Sequence, residues 1–440
     1  MIRRVPGPRQ PLQNIAWLVG ERAVRAIATA TVLGIVARYL QPEGFGQLNF
    51  AFSLYLMFAA AANLGLEGLV VNELVRRPAQ AGAVLGTAFR LRLAAGAIVT
   101  ALLVAMSWLL PALRPDAPLI SIVALSLLVQ PVEVLDLWFQ RHLDSRRTVV
   151  ARFLGVMAGA TLKLWLVARG APLSAFAWAL VADVVFIACG LAWVGSRSPY
   201  PTGPWRWDAA IARDLWRRGA PLALSGLMVA FALRLDQILV RAWLGERVTG
   251  LYFASTRLIE IAVFVGAAIS MSFFPSLSAS HSRNREEYFA RLQTLFSLLS
   301  GLGWAVVLVC NLGGPWIVRL LYGTAYAEAA PILAIQGWAC LITLNAMARW
   351  QHIILSASTL INLTAAGLHL VCLYGLAHPF VAHSGAPGMA LALVVANFVS
   401  GIATTFVFPA LRPCAGMQLR GLFILLAPAR WPGLLRALRT

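Results

Sequence analysis

The sequence predicts an all-α polytopic membrane protein of about 12 transmembrane helices in two pseudo-symmetric six-helix lobes. Three observations predict it. Hydrophobic residues make up 60% of the 440 and charged residues only 12%, too little polar surface for a soluble chain of this length. Apolar runs of membrane length recur, separated by turn and charge clusters. The basic residues fall mainly in alternate loops, as the positive-inside rule requires.

In chain order the runs lie near 14–37, 47–69, 82–109, 118–139, 148–168 and 173–194, then 219–241, 250–274, 292–312, 328–354, 359–380 and 387–410. Between the first two, RYLQPEGFGQ forms a corner: Pro42 stops a helix, Gly44 and Gly46 permit turns, and Phe45 is placed to anchor at the outer interface. At the opposite end of the second run, Gly65 and Gly68 loosen the helix before Arg76 and Arg77 mark its exit. The longest polar break, Gly195 to Arg218, opens with Pro, Gly and Ser and cannot stay helical there, whereas DAAIARDLWRR reads as a basic amphipathic helix. The expected domains are an N-terminal lobe (1–195), a cytoplasmic linker (196–218), a C-terminal lobe (219–411) and an interfacial tail (412–440). Shifting by 203 residues sets Ile35 and Arg38 on Ile238 and Arg241, Glu43 on Glu246, and Leu48, Phe50 and Ala51 on Leu251, Phe253 and Ala254. An internal duplication is expected, with a substrate path between the lobes near the midplane.

An even number of spans returns both termini to one side. That side collects Arg3, Arg4, Arg9, Arg76, Arg77, Arg141, Arg146, Arg147, Arg197 and Arg206, and the opposite side far fewer, so both termini are expected in the cytoplasm. The formal net charge of +19 is almost wholly arginine, because Lys163 is the only lysine. These arginines punctuate apolar spans instead of forming long basic runs, so a nucleic-acid partner is not expected. No cleavable signal peptide is evident, and the five cysteines show no C-x-x-C spacing that would suggest a disulfide or a metal site.

The charges inside the spans carry the function. A charged group at mid-bilayer costs roughly 2.5–3.5 kcal/mol on insertion scales, so each should face a bundle interior or a wet cavity. Arg22, Arg25 and Thr29 share a face of the first span, and Glu21 lies one turn from Arg25. The third span carries Arg90 and Arg92, the fourth Glu133, Asp136 and Gln140, the fifth a lone Lys163 and the sixth Asp183. Arg234 and Asp236 lie in the seventh, Arg257 and Glu260 in the eighth. Two readings stand. In one, these charges are ion pairs tying helices together, a reading that fits Arg92, Arg152 and Lys163. In the other, deep basic residues outnumber acidic ones because Arg22, Arg25, Arg90, Arg234 and Arg257 take an anionic ligand, their planar forks matching phosphate oxygens, as in a pyrophosphate-linked lipid. Asp183, Asp236 and Glu21 are candidates for coupling to a proton or sodium gradient. No other cofactor and no metal is expected. There is no G-x-x-x-x-G-K-[ST] phosphate loop, no H-E-x-x-H, and no long outer loop to hold a transferase site; His281, His352 and His369 are scattered. The chain reads as a transporter, not an enzyme.

The run ARYLQPEGFGQLNFA (Ala37 to Ala51), followed by NLGLEGLVVNELVRRP (Asn63 to Pro78), resembles the polysaccharide (O-antigen, Wzx-type) flippases of the MOP/MATE superfamily. So does RLDQILVRAWLG (Arg234 to Gly245) leading into GLYFASTRLIE (Gly250 to Glu260). Gln41 stands where that family commonly has glycine. The resemblance implies a MATE-like, V-shaped, alternating-access transporter in the bacterial cytoplasmic (inner) membrane. Its implied substrate is an undecaprenyl-pyrophosphate-linked oligosaccharide unit moved to the outer leaflet, with a glycan polymerase and chain-length machinery as partners and a monomeric state. A peptidoglycan lipid II flippase and a cation-coupled multidrug exporter are the alternatives within the superfamily.

Overall fold

The computed structural model describes the backbone of residues 9–142, 144–200, 202–356 and 359–423, and their side chains except at 9–29, 145–146, 282, 359–360 and 362. The expectations for Arg22, Arg25 and Glu21 therefore lie outside the described side chains.

Among the described residues, ten helices are long and apolar enough to cross a membrane. Two of them are bent. Helix α1 (Arg9–Ala62) departs from helical geometry only at Gln41, with φ 57° and ψ 170°. Helix α9 (Ala209–Arg283) does so only at Gly245, with φ 80° and ψ −175°. Each bend joins two arms long enough to cross, which brings the ten helices to the twelve spans expected. The corner is thus a single residue, and Pro42 begins the second arm of α1, where its missing N–H costs nothing. Phe45 is fully buried, not an interface anchor as expected: it faces inward one turn past the bend.

The intervening elements are α2 (Leu66–Arg76), α3 (Ala81–Leu109), α4 (Ala117–Ala124), α5 (Ser126–Val129), α6 (Val134–Arg141), α7 (Ser145–Ala168) and α8 (Leu173–Ser196). The fourth span is not one helix but α4, α5, a 3-10 turn at Gln130–Glu133 and α6, because Pro131 denies the ladder a donor. After α9 come α10 (Arg285–Tyr322), α11 (Ala329–Leu355), α12 (Thr359–Ser384), α13 (Ala386–Phe398), α14 (Thr404–Val407) and α15 (Arg412–Leu422). Asn284 separates α9 from α10 and caps the latter, its side chain accepting from the amides of Glu286 (2.9 Å) and Glu287 (3.3 Å).

The chain forms two compact units. One runs from Tyr39 to Gly250; the other comprises Leu251 onward together with the residues up to Arg38. The lobes read from span count ran 1–195 and 219–411, whereas each compact unit includes one arm from the other half of the chain. The repeat explains how that exchange is held. Within the second unit, the Arg38 guanidinium sits over the C-terminal carbonyls of α10, donating to Leu321 O at 3.0 Å and to Leu320 O. A Cβ on Gly34 would lie 2.7 Å from Leu321 O, and Tyr326 donates its hydroxyl to Ala37 O at 2.9 Å. Within the first unit, the related Arg241 binds Asp116, beside the start of α4, at 2.8 Å and Glu246 at 2.9 Å.

Also in the first unit, the backbones following the two bends touch. A Cβ on Gly46 would lie 2.3 Å from Glu246 O, and one on Gly250 only 1.9 Å from Pro42 O. No side chain fits at either crossing. The expected amphipathic linker helix is the start of α9, capped by Asp208, whose Oδ1 accepts from the Ala210 (2.8 Å) and Ile211 (3.0 Å) amides. Ile211 and Leu215 are buried against Leu66, Leu74, Val84 and Trp138. The extended segment before it lies along α3, over Gly82 and Gly86, where added Cβ atoms would meet Pro204 O at 2.5 Å and Arg206 O at 2.7 Å.

In the second unit, α10 packs on α11, α11 on α13 and α12 on α13. Leu292, Leu295, Phe296, Leu299, Leu344 and Ala348 form its core. The first part of the expected interfacial tail, α15, buries Cys414 and Met417 in that core; residues 424–440 lie outside the described residues.

Candidate functional site

Apolar packing positions a series of polar side chains at membrane depth in each unit. In the unit from Tyr39 to Gly250, α3 presents one face inward through Leu85, Ala88, Arg92, Gly96, Thr100, Leu103 and Ser107. Arg90 and Arg92 stand about 200° apart on a helix, so only one can join that face. It is Arg92, 2% exposed, while Arg90 is exposed. The Arg92 fork reaches Glu67 at a long 3.8 Å, and its Nε and Nη2 make no hydrogen bond. The sequence points to Arg90 as a ligand contact and to Arg92 as a tie between helices; Arg92 is enclosed and faces Glu67 of α2.

Further along the same unit, Arg152 of α7 binds Glu133 at 3.3 Å and Asp136 at 3.2 Å, and Gln140 donates to Asp136 at 3.2 Å. The stripe of Glu133, Asp136 and Gln140 thus faces a cation on the next span. Lys163 does not stand alone, as its isolation in the fifth span suggested, but pairs with Asp183 on α8. Gly159 makes room: a Cβ there would overlap the Asp183 carboxylate. On the first arm of α9, Arg234 is half-buried and donates to Gln237 Oε1 at 3.3 Å, an oxygen that also accepts from the Ser53 hydroxyl at 2.8 Å. Asp236 is 3% exposed.

In the other unit, Arg257 binds Glu260 at 2.8 Å, one turn along its own helix. One residue away, Thr256 Oγ1 accepts from Gln336 at 3.0 Å. The feature that the sequence reading missed is Arg349 of α11, 6% exposed. Its guanidinium donates to neutral oxygens: Thr404 Oγ1 at 2.5 Å, Thr405 Oγ1 at 3.3 Å and Ser400 O at 3.0 Å. No carboxylate pairs with it among the described residues. Ser400 lies in a π-helical turn, Val399–Ala403. The widened turn turns carbonyls outward from the ladder. Arg349 takes that of Ser400, and Gln418 takes that of Gly401 at 2.9 Å. Asn345, Arg349 and His352 form an i, i+4, i+7 stripe in an apolar span, the signal that would have found them. His352 is structural: Nδ1 meets the Tyr288 hydroxyl at 2.7 Å and Nε2 meets Ala410 O at 3.3 Å.

Of the expected ligand cations, Arg257 therefore has a carboxylate neighbour and Arg234 a shared amide oxygen, and the two fall in different compact units. Arg92 and Arg349 are the enclosed guanidiniums: Arg92 lies 3.8 Å from Glu67, and Arg349 meets neutral oxygens only. Such a charge persists at depth only where it is engaged.

A family of polysaccharide biosynthesis proteins matches residues 35–331. No protein of curated function matches the sequence. Among solved structures, the chain is similar to an inward-facing multidrug resistance transporter of the MATE family in the MOP superfamily. The TM-score is 0.74 at 18% identity, over 90% of this chain and 96% of that one. The outward-facing conformation of such a MATE transporter gives a TM-score of 0.61 at 18% identity, with the same coverage. The lipid II flippase MurJ in an inward closed conformation gives 0.67 at 12% identity, over 92% of this chain and 91% of that one. With that match across two thirds of its length, the chain belongs to the polysaccharide biosynthesis protein family and is a multi-pass membrane protein built on the MOP-superfamily fold.

Proposed function

We propose that the chain is a flippase for undecaprenyl-pyrophosphate-linked oligosaccharide units, working by alternating access in the bacterial cytoplasmic membrane with both termini inside. The observation that carries the reading is the family match over residues 35–331 on a transporter fold. The charge balance supports the sign of the ligand. A cation-coupled exporter of cationic drugs calls for acidic side chains at depth. Here the enclosed Arg349 meets neutral oxygens and no carboxylate among the described residues. A diphosphate bridging lipid and sugar suits guanidinium forks, which grip its oxygens two at a time. Arg22, Arg25, Arg90, Arg234 and Arg257 are the proposed contacts. A glycan polymerase with its chain-length machinery would take the product. A proton or sodium gradient is the proposed energy source, with Asp236 or Glu21 as its carboxylate; Asp183, engaged by Lys163, is assigned to holding α7 on α8.

The test is complementation in a strain that depends on this chain for its surface glycan. Arg25→Ala and Arg234→Ala should each abolish export at normal protein level. Unchanged export from both variants would refute the assignment of these arginines to the ligand. Rescue of drug tolerance without glycan export would replace it with the exporter reading.

A further inference from the structure

On the arginine-rich side of the membrane, the ends of α7 and α8 border an open hollow. The opening is a cleft of about 450 Å³ bordered by Asp144, Arg147, Val150, Trp193 and Arg197. It continues between the same helices into a hollow of about 200 Å³ along Leu154, Ala158, Phe186 and Gly190. Both hollows share Val150, Trp193 and Val194, so they form one furrow. Its floor is closed by two glycines. A Cβ on Gly155 would lie 2.9 Å from Ile187 N, and one on Gly190 3.1 Å from Ala151 O. Its rims are exposed apolar side chains, with Leu154 57% and Trp193 54% exposed. Such a surface faces acyl chains, not water.

The two ends differ in chemistry. At the mouth, Arg147 is matched by Asp144 at 2.9 Å. Arg197 has no acidic partner among the described residues and lies over the Trp193 ring at 4.6 Å. The mouth therefore carries one surplus positive charge beside an indole, at the level where headgroups meet chains. The deep end is apolar apart from the Cys189 thiol. From Arg147 to Ala158 the furrow runs roughly 16 Å along α7, about half the hydrocarbon thickness of a bilayer.

We propose that this furrow is a binding site for one anionic glycerophospholipid, its phosphate on Arg197 and one acyl chain laid between α7 and α8. The inference does not rest on the proposed glycan transport. The one-leaflet depth favours an acyl chain over a polyprenyl chain, which would overrun it.

Native mass spectrometry of the full chain, titrated with phosphatidylglycerol or phosphatidylcholine, tests this. The intact chain should retain one phosphatidylglycerol, roughly fivefold in preference to phosphatidylcholine, the value of one arginine at an anionic surface. Arg197→Gln should erase that preference while leaving a lipid in the furrow. Ala158→Leu, which fills the deep end, should weaken both lipids together. Equal binding of the two lipids by the intact chain would overturn the proposal, as would a preference that survives Arg197→Gln. Displacement of phosphatidylglycerol by equimolar undecaprenyl phosphate would overturn it too, by making the substrate's own tail the occupant.

Discussion

Removing either partner of the Lys163–Asp183 pair should destabilise the protein, and removing both should largely restore it. The two side chains bridge adjacent spans and are 21% and 26% exposed. Breaking a fully buried pair costs about 3–5 kcal/mol because the surviving charge is left uncompensated. With about a quarter of each side chain accessible, we expect about 2 kcal/mol for Lys163→Met or for Asp183→Leu. The double variant Lys163→Met with Asp183→Leu replaces both charges by apolar groups and should return to within about 1 kcal/mol of the parent. Denaturant unfolding of the detergent-solubilised chain, followed by tryptophan fluorescence, reads the four stabilities. The same four proteins in liposomes read transport with and without an ion gradient. Additive losses in the cycle would refute the pairing. A double variant that is stable but has lost its response to the gradient would make Asp183 the coupling acid and refute its structural assignment.

Three further outcomes follow from the geometry. Gln41 occupies a backbone region with positive φ that suits glycine and costs other residues of order 1–3 kcal/mol, so Gln41→Gly should stabilise the chain by about 1 kcal/mol in thermal unfolding; a lower midpoint would contradict the bend. Gly250→Leu forces a side chain onto Pro42 O and should abolish accumulation of folded protein, read by detergent size-exclusion chromatography, whereas Gly226→Ala, with open space around its Cβ position, should behave as the parent. Arg349→Met removes the donors serving the π turn and should cost about 2 kcal/mol of stability; unchanged unfolding with lost export would instead move Arg349 into the ligand site.

Much of this fold is legible in the sequence because bilayer thickness fixes helix length and arginine marks the ends. The spans, the amphipathic linker helix and the corner between the first two spans all follow from apolar runs and their punctuation, whereas the bend at Gly245 that makes α9 one helix does not. The bends themselves are sharper than Pro42, Gly44 and Gly46 suggested: Gln41 alone carries the first, in a positive-φ conformation that Gly245, one position off the 203-residue register, adopts freely at the second. The site was less legible. Depth along a span can be counted, but the face of a charge depends on its neighbours: Ala88, Arg92, Gly96 and Thr100 share the buried face of α3, while Arg90 stands on another. Partners on other spans are invisible to periodicity, which is why Lys163 read as solitary. Arg349 itself stands on a readable i, i+4, i+7 stripe with Asn345 and His352, but the π turn at Val399–Ala403 that supplies its acceptors has no signature that a helical period reveals.

Flipping in proteoliposomes that contain only this chain tests the central claim most directly. Fluorescent short glycans would be joined to undecaprenol through a pyrophosphate, or through a neutral ether as the control. The account predicts that the pyrophosphate-linked glycan reaches the opposite leaflet, that free pyrophosphate slows it, and that the neutral analogue stays where it was placed. Equal movement of the neutral analogue would contradict it.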